Sequence, residues 1–192
     1  SQDNPAAILV DSPRLTAEML LAHTLGLKRL DLYLQHDRPL EQQEMSWFQS
    51  FIKRRAAGEP VAYIIGSRGF YESDFSVGPG VLIPRPDTET LVVQALEFLG
   101  SRVNGRPAKV LELGAGSGAV IVSLASSAPE HLYFASDVSQ TALHLAAANS
   151  RNIAGGSVRF FAGSWLEALQ PEPLFDLIVS NPPYIPTADI DT

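Results

Sequence analysis

Apolar residues recur at three- and four-residue intervals over the first part of the chain, which indicates helices. Ser12 followed by Pro13 is typical of a helix start, because serine caps free N–H groups and proline fits the first helical turn. The run ends at Gly26, and a second helix is predicted over residues 41–57. In this second helix, the apolar residues Met45, Phe48 and Ile52 share one face.

The apolar period changes to two after Gly69, which indicates short strands. Apolar and polar residues alternate on both sides of Ser73-Asp74, so a hairpin is predicted with its turn there. A proline-rich joint follows over residues 79–86, and another helix is predicted from position 87 or 88 to Gly100. Phe70 is expected in the core of the hairpin.

Strands and helices alternate over the rest of the chain. Strands are predicted over residues 109–113, 132–136, 158–162 and 175–180, and helices over residues 119–127 and 140–152. Such alternation predicts βαβ crossovers, a mainly parallel sheet and therefore an α/β, Rossmann-like fold. The expected organisation is a helical N-terminal domain at residues 1–67, a hairpin linker at 68–84 and an α/β domain at 85–192.

Composition excludes several classes of protein. The 192 residues are 45% hydrophobic, enough to bury a core, and the net charge of −7 disfavours a protein that grips nucleic acid over a broad surface. The absence of cysteine excludes disulfides, thiolate metal sites and a cysteine nucleophile, and no metal site is predicted. The apolar run at residues 6–10 is too short for a signal peptide or a membrane span, so a cytoplasmic protein without membrane contact is expected.

A glycine-rich turn follows the first predicted strand of the α/β domain. It consists of Gly114, Ala115, Gly116, Ser117 and Gly118. Glycine allows a sharp turn and a close approach to a ligand, and the following helix start offers N–H groups. The spacing also fits a dinucleotide-binding fingerprint, so the turn alone does not distinguish a nicotinamide cofactor from S-adenosylmethionine. A tight turn without a ligand is the third interpretation.

Asp137 follows the second strand of this domain, 19 residues after Gly118. A carboxylate at this position can accept hydrogens from both ribose hydroxyl groups of either cofactor. The structural alternative is a cap on the following helix, a role that Ser139 fills equally well. We therefore predict that Asp137 binds the cofactor.

The most specific motif is Asn181, Pro182, Pro183 and Tyr184, just after the fourth predicted strand. Ligands of open α/β sheets bind beyond the carboxyl ends of the strands, where this tetrapeptide is expected. The prolines lack N–H groups and have a fixed φ, so the loop is stiff and presents hydrogen-bond acceptors. The Asn181 side-chain oxygen and the Pro182 carbonyl can each accept one hydrogen of a planar NH₂ group, and Tyr184 can stack on its face. The alternative is an ordinary Asn-Pro turn.

This arrangement suits a poorly nucleophilic nitrogen. The lone pair of an amide or aromatic amine is delocalised, and two acceptors that favour a pyramidal nitrogen help to free that pair for attack on a methyl sulfonium. Positioning and electrostatics then provide most of the catalysis. We predict Asn181, Pro182 and Tyr184 as the catalytic residues.

These motifs resemble those of the amino methyltransferases, which act on adenine N6, cytosine N4 or the glutamine side-chain nitrogen. The resemblance narrows to one family through four features of the sequence: residues 58–63 (GEPVAY), residues 82–89 (LIPRPDTE), Phe70 and Phe75. They are similar to the peptide chain release factor glutamine methyltransferase family, known as HemK or PrmC. The resemblance covers nearly the whole chain. The tripeptide at 86–88 favours this family over the ribosomal-protein L3 glutamine methyltransferases.

The resemblance implies a class I methyltransferase fold, S-adenosylmethionine as cofactor and methylation of the glutamine in the Gly-Gly-Gln loop of release factors. It places the glycine-rich turn, Asp137, Trp165 and Asn181 at the cofactor, with Trp165 near the adenine or, alternatively, in the core. Residues 181–184 would hold the glutamine. Arg85 would orient the substrate loop or brace the domains, and residues 1–67 would recognise the substrate.

The resemblance also implies a seven-stranded sheet, of which four strands are predicted here. We therefore expect the C-terminal strands to be missing from this chain, and its activity in isolation stays open. A nucleic-acid adenine or cytosine methyltransferase is one alternative function, against which the acidic charge stands. The other alternative is an inactive adaptor, which the presence of Gly114, Asp137 and Asn181 disfavours.

Overall fold

The computed structural model describes residues 12–101, 105–167, 169 and 173–182. The contacts between Cα atoms divide the chain into two units, Ser1–Gly66 and Ser67–Thr192. Gly66 ends a helix in the left-handed conformation, with φ of 82°. The hairpin predicted as a linker lies in the second unit.

The described part of the first unit is helical. Its elements are α1 (Pro13–Leu25), α2 (Asp31–Leu34), α3 (Gln42–Ala56) and α4 (Val61–Ile65). The predicted start of α1 is confirmed, because the Ser12 hydroxyl accepts a hydrogen bond from the Leu15 N–H at 3.2 Å. Its predicted end is confirmed by Gly26, which caps α1 in the left-handed conformation. The buried centre of the unit is formed by Leu20, Val61 and Ile64.

The apolar face predicted for α3 is only partly buried. Phe48 and Phe51 pack against the core of the first unit, whereas Met45 and Ile52 are exposed. Both sets have helical spacing, and Phe48 belongs to each. The face carrying two aromatic rings offers more apolar area to bury, and Phe51 lies with its ring centroid 5.3 Å from that of His23 on α1.

The hairpin of the second unit consists of β1 (Ser67–Phe70) and β2 (Ser73–Ser76), which are antiparallel. Phe70 pairs with Ser73, so the turn consists of Tyr71 and Glu72, and the predicted turn at Ser73-Asp74 is wrong. A turn there would place Glu72 on the buried face with Phe70, because alternate residues of a strand share a face. The observed turn leaves Glu72 exposed, and it holds Tyr71 at φ of 53°. Phe70 is buried, as predicted.

A parallel sheet forms the rest of the second unit. Its described strands are β3 (Lys109–Leu113), β4 (Leu132–Asp137), β5 (Val158–Ala162) and β6 (Leu177–Ser180), in the order β5-β4-β3-β6. The helices are α5 (Glu89–Gly100), preceded by a 3-10 turn at Pro86–Thr88, then α6 (Ala119–Ser127) and α7 (Gln140–Ala154). The predicted α/β alternation with a parallel sheet is therefore confirmed.

The strand order creates a switch point beside β3. The chain adds β4 and β5 on one side of β3 and then returns to add β6 on the other side. Leu113, near the end of β3, pairs with both Ser136 and Ser180. The residues that follow these three positions therefore lie at one edge of the sheet, where open α/β sheets bind ligands.

Candidate active site

The glycine-rich turn is tied to the end of β4. The N–H groups of Gly114 and Ala115 both donate to the Ser136 carbonyl at 2.9 Å. The Gly116 N–H donates to the Asp137 carboxylate, with 2.9 Å between N and Oδ2. Two stretches that the sequence analysis assigned to one site are thus brought together by direct hydrogen bonds.

Gly118 allows α7 to approach this turn closely. It has φ of 76°, and a Cβ atom at this position would lie 3.0 Å from the Ala146 Cβ and 3.3 Å from the Ala146 Cα. Any other residue would therefore be strained in its backbone and crowded by α7. Gly118 is also the N-cap of α6, and it has no side chain that could accept hydrogen bonds from the free N–H groups of the first turn.

Glu112 on β3 supplies the acceptor that Gly118 lacks. Its buried carboxyl accepts a hydrogen bond from the Ile121 N–H, in the first turn of α6, with 3.0 Å between N and Oε2. Burial raises the pKa of Glu112 to about 8, while the hydrogen bond from Ile121 opposes this shift and the Asp137 carboxylate adds to it. The sequence analysis missed this role, although an acidic residue two positions before the glycine-rich turn was its signal.

Asp137 faces the glycine-rich turn and the start of α7. Its Oδ1 accepts a hydrogen bond from the Ser139 N–H at 2.8 Å. The cap of α7 is Ser139, whose hydroxyl accepts from the Ala142 N–H at 3.3 Å, so the capping alternative for Asp137 is wrong. Each carboxylate oxygen has two lone pairs, and the side chain is only half-buried. Asp137 can therefore accept further hydrogens from a ligand.

Trp165 follows β5 at the same edge of the sheet. The preceding turn is held there by a hydrogen bond from the Gly163 N–H to the Asp137 carbonyl at 3.2 Å. The Trp165 side chain is 56% exposed, so the alternative of core packing is wrong. Its φ of 49° is uncommon for a bulky residue. The structure thus leaves the Trp165 ring exposed three residues after the end of β5.

Asn181 lies in an open cleft of about 450 Å³ beside β6 and the start of α5. Its side-chain Nδ2 donates a hydrogen bond to the Thr88 hydroxyl at 2.9 Å. Arg85 lines the same cleft. The other lining residues are Asp87, Thr88, Thr90, Leu91, Gln94 and Ser180. The cleft is therefore rich in polar groups at the site where the sequence predicts the substrate.

Asp137 and Asn181 lie on opposite sides of β3. Asp137 follows Ser136 and Asn181 follows Ser180, and both serines pair with Leu113. Two strand spacings therefore separate Asp137 from Asn181, about 10 Å. Pro182 is exposed directly after Asn181, whereas Pro183 and Tyr184 lie outside the described residues.

Asn149 on α7 joins the hairpin to the glycine-rich turn, a role that the sequence analysis missed. Its Oδ1 accepts from the Ser76 N–H at 2.9 Å, and its Nδ2 donates to the carbonyls of Ser76 and Ser117 at 3.0 and 2.9 Å. The residue is 1% exposed. Because its partner Ser76 lies 73 positions away, no local pattern indicates this contact.

Two further findings concern other classes of site. Across residues 12–101, 105–167, 169 and 173–182, no three His, Asp or Glu side chains are grouped as a metal site requires. Within the same ranges, every helix is too short or too polar to span a bilayer.

Comparison with protein families accounts for both units. The sequence profile described as "Methyltransferase small domain" matches residues 89–192, more than half of the chain. The chain belongs to this family. The profile described as "PrmC N-terminal domain" matches residues 6–66. The class I methyltransferase fold predicted for the second unit is thereby confirmed.

The most similar curated relatives that we compared carry the same name. A protein of Rhodopirellula baltica named "Release factor glutamine methyltransferase" is 40% identical over 183 residues, which cover 94% of this chain and 62% of that protein. One of Bordetella pertussis with the same name is 45% identical over 177 residues, covering 92% of this chain and 64% of the relative. The predicted resemblance is confirmed, and the chain spans less than two thirds of the length of these relatives. Among solved structures, a human protein described as "methyltransferase 10 domain containing protein" is 16% identical, with a TM-score of 0.48 over 58% of this chain and 54% of the human chain.

Proposed function

We propose that the protein containing this methyltransferase domain transfers a methyl group from S-adenosylmethionine to a glutamine of peptide chain release factors. The acceptor would be the side-chain amide nitrogen in the Gly-Gly-Gln motif. The observation that carries the proposal is the placement of Asp137 and Asn181 on either side of the β3 switch point. The names of the relatives, which match over 92–94% of the chain, support the same substrate.

The glycine-rich turn fits S-adenosylmethionine better than a dinucleotide. In the dinucleotide fingerprint the second glycine lets the backbone approach a pyrophosphate. Here the N–H of that glycine, Gly116, is already donated to the Asp137 carboxylate, whose negative charge disfavours a phosphate close by. A ligand with ribose hydroxyl groups and a positive charge suits the same surroundings.

The cofactor would be held by residues 114–118, Asp137, Trp165 and Asn181. The half-buried Asp137 carboxylate would accept hydrogens from the ribose hydroxyl groups, and the exposed Trp165 ring would cover the adenine. When bound, S-adenosylmethionine supplies an electrophilic methyl group on a sulfonium. The protein itself supplies orientation and exclusion of water around that group.

The substrate amide would lie in the Asn181 cleft. Asn181 would accept one hydrogen of the glutamine NH₂ group through Oδ1, and the Pro182 carbonyl would accept the other. Two acceptors on one nitrogen favour its pyramidal form and so expose the lone pair. Pro183 would keep the loop stiff, Tyr184 would stack on the amide, and Arg85 at the rim of the cleft would orient the substrate loop.

We extend the proposal to the rest of the protein. Residues 1–67 would recognise the release factor, and residues 85–192 would carry the cofactor and the chemistry. Because release factors act in translation, the cytoplasm would be the place of reaction. The relatives' shared name and the match of residues 6–66 to the PrmC N-terminal domain support this division.

The test is methyl transfer by the full-length protein to a release factor, to DNA and to ribosomal RNA side by side. Mass spectrometry should find the methyl group on the glutamine of the Gly-Gly-Gln peptide. Asn181→Ala should lower kcat by about 10²–10³, the effect of deleting one preorganised hydrogen-bonding group. The matched control is Asn152→Ala, which removes an exposed asparagine of α7 and should leave kcat unchanged. Methylation of nucleic acid but not of the release factor would overturn the proposal.

A further inference from the structure

The orientation of the Asn181 side chain decides what the cleft can bind. An asparagine amide has an oxygen that accepts hydrogen bonds and an NH₂ group that donates them, and the two ends are nearly equal in size. Only the oxygen suits a substrate NH₂ group, because the opposite orientation would set two donors against each other. A neighbouring group that binds the NH₂ end would therefore leave the oxygen for the substrate.

Thr88 is that neighbour in the structure. Its hydroxyl oxygen accepts the hydrogen bond from Asn181 Nδ2 at 2.9 Å, and the side chains come from positions 93 residues apart. Both residues line the same cleft. With Nδ2 directed to Thr88, Oδ1 is on the other side of the amide and faces away from Thr88.

The backbone around Thr88 is held by hydrogen bonds and by the packing of α5. Its N–H donates to the Arg85 carbonyl at 3.0 Å, which closes the 3-10 turn before α5. The next residue, Glu89, accepts a hydrogen bond from the Tyr71 N–H at 3.1 Å and so ties the start of α5 to the hairpin. Further along α5, Val92, Ala95 and Leu99 are buried. The Thr88 backbone is thus tied to the preceding turn, and the start of α5 is tied to the hairpin.

We infer that Thr88 is a positioning residue that binds the NH₂ end of Asn181 and so presents Oδ1 to the substrate nitrogen. The inference rests on the proposed function and deepens it, because it explains why the cleft selects a substrate that donates hydrogens. A flipped Asn181 would instead favour an acceptor group. Thr88 acts through Asn181 and needs no contact with the substrate.

The contact itself is tested by NMR on the ¹⁵N-labelled full-length protein. The side-chain amide signal of Asn181 is assigned by its loss in Asn181→Ala. Thr88→Val preserves the shape of the side chain but removes the acceptor, and it should shift this signal. Thr88→Ser keeps the hydroxyl and should return the signal towards its original position. Thr90→Val, at another hydroxyl of the same cleft, should leave it in place. An Asn181 signal that does not respond to Thr88→Val overturns the inference.

The consequence is tested by kinetics with a release factor. Thr88→Val should lower kcat about tenfold, the effect of losing one neutral hydrogen bond, with little change in the KM for the cofactor. Thr88→Ser should restore most of the activity. In an Asn181→Ala background, Thr88→Val should cause no further loss, since its effect passes through Asn181. Fully additive losses would overturn the inference.

The two levels of the proposal fail separately. A wild-type protein that methylates no release factor contradicts the proposed function. The amide signal of Asn181 then still decides whether Thr88 holds that side chain. Melting temperatures of all variants should stay close to that of the wild type, because both residues lie at the open end of the sheet.

Discussion

At the scale of single residues, Asp137 carries the first prediction. Asp137→Ala should weaken the binding of S-adenosylmethionine by roughly 1.5–3 kcal/mol, the range for hydrogen bonds to a charged group. Calorimetric titration of the full-length protein measures this change. The exposed Asp74 is the matched control, and Asp74→Ala should bind the cofactor normally.

The Asp137 variant has a second effect that must be separated from the first. The same carboxylate accepts hydrogen bonds from the N–H groups of Gly116 and Ser139, so its removal also loosens the glycine-rich turn. Asp137→Asn keeps the size of the side chain but an acceptor for only one of these two N–H groups, because they bind different oxygens of the carboxylate. Equal affinity of the wild type and both variants would remove Asp137 from the site.

Asn149 carries the second prediction, which concerns stability. Asn149→Leu keeps the branching and the number of heavy atoms of the side chain but leaves the Ser76 N–H and the carbonyls of Ser76 and Ser117 without their partner. The free energy of unfolding should fall by roughly 2–5 kcal/mol, since buried polar groups that lose their partners are costly. Urea unfolding measures the change. Asn152→Leu on the exposed side of α7 should cost far less, and equal losses would contradict the role of Asn149.

At the scale of elements, the sequence predicts those features that depend on residues close together in the chain. The cap of α1 by Ser12 and the βα alternation follow from neighbouring residues, and both were predicted. The contact of Thr88 with Asn181 joins elements far apart in the chain, and no periodicity records it. The hairpin turn was misplaced because Ser73-Asp74 favours a turn, whereas burial of Phe70 without Glu72 required the turn at Tyr71.

The third prediction concerns the junction of β3 and α6. The close approach of α7 requires a glycine at position 118, which has no side chain to cap α6. Glu112 instead accepts the hydrogen bond from the Ile121 N–H that a capping side chain would otherwise accept. The pKa of Glu112 in the folded protein is about 8, above its ordinary value of 4.5. The folded state therefore binds a proton more tightly than the unfolded state.

This pKa shift fixes the sign of a pH dependence. The contribution of the protonated carboxyl is fully present below pH 4.5 and is lost as the pH rises through about 8. Relative to Glu112→Gln, which stays neutral, the wild type should lose roughly 3–5 kcal/mol of stability between pH 5 and pH 9. Unfolding in urea at several pH values measures the difference. Parallel curves for the two proteins would show that Glu112 keeps its ordinary pKa.

At the scale of the whole molecule, the order of the strands brings the two halves of the site to one edge. The glycine-rich turn and Asp137 follow β3 and β4, whereas Asn181 follows β6 on the other side. The alternation of strands and helices predicted a parallel sheet but not this order by itself. The order matters because it places the proposed cofactor residues and the proposed substrate residues about two strand spacings apart.

The first unit provides the last prediction, which concerns recognition of the substrate. Leu30 and Leu34 lie four positions apart at α2 and are 72% and 80% exposed. Exposed apolar side chains next to each other are typical of interaction surfaces. If residues 1–67 recognise the release factor, these leucines are candidates for contact with it.

Leu34→Ser should therefore raise the KM for an intact release factor by about tenfold, the effect of losing one buried leucine at an interface. The kcat value should not change, because Asn181 and its cleft belong to the second unit. A short Gly-Gly-Gln peptide is the internal control: it reaches only the cleft, so its KM should be the same for Leu34→Ser and the wild type. The substitution should not impair folding, since the Leu34 side chain is exposed and contributes little to the core. If Leu34→Ser raised the KM values for the release factor and for the peptide equally, the leucine would act on the cleft and not on recognition. If it raised neither KM value, the exposed leucines of α2 would have no part in binding the release factor.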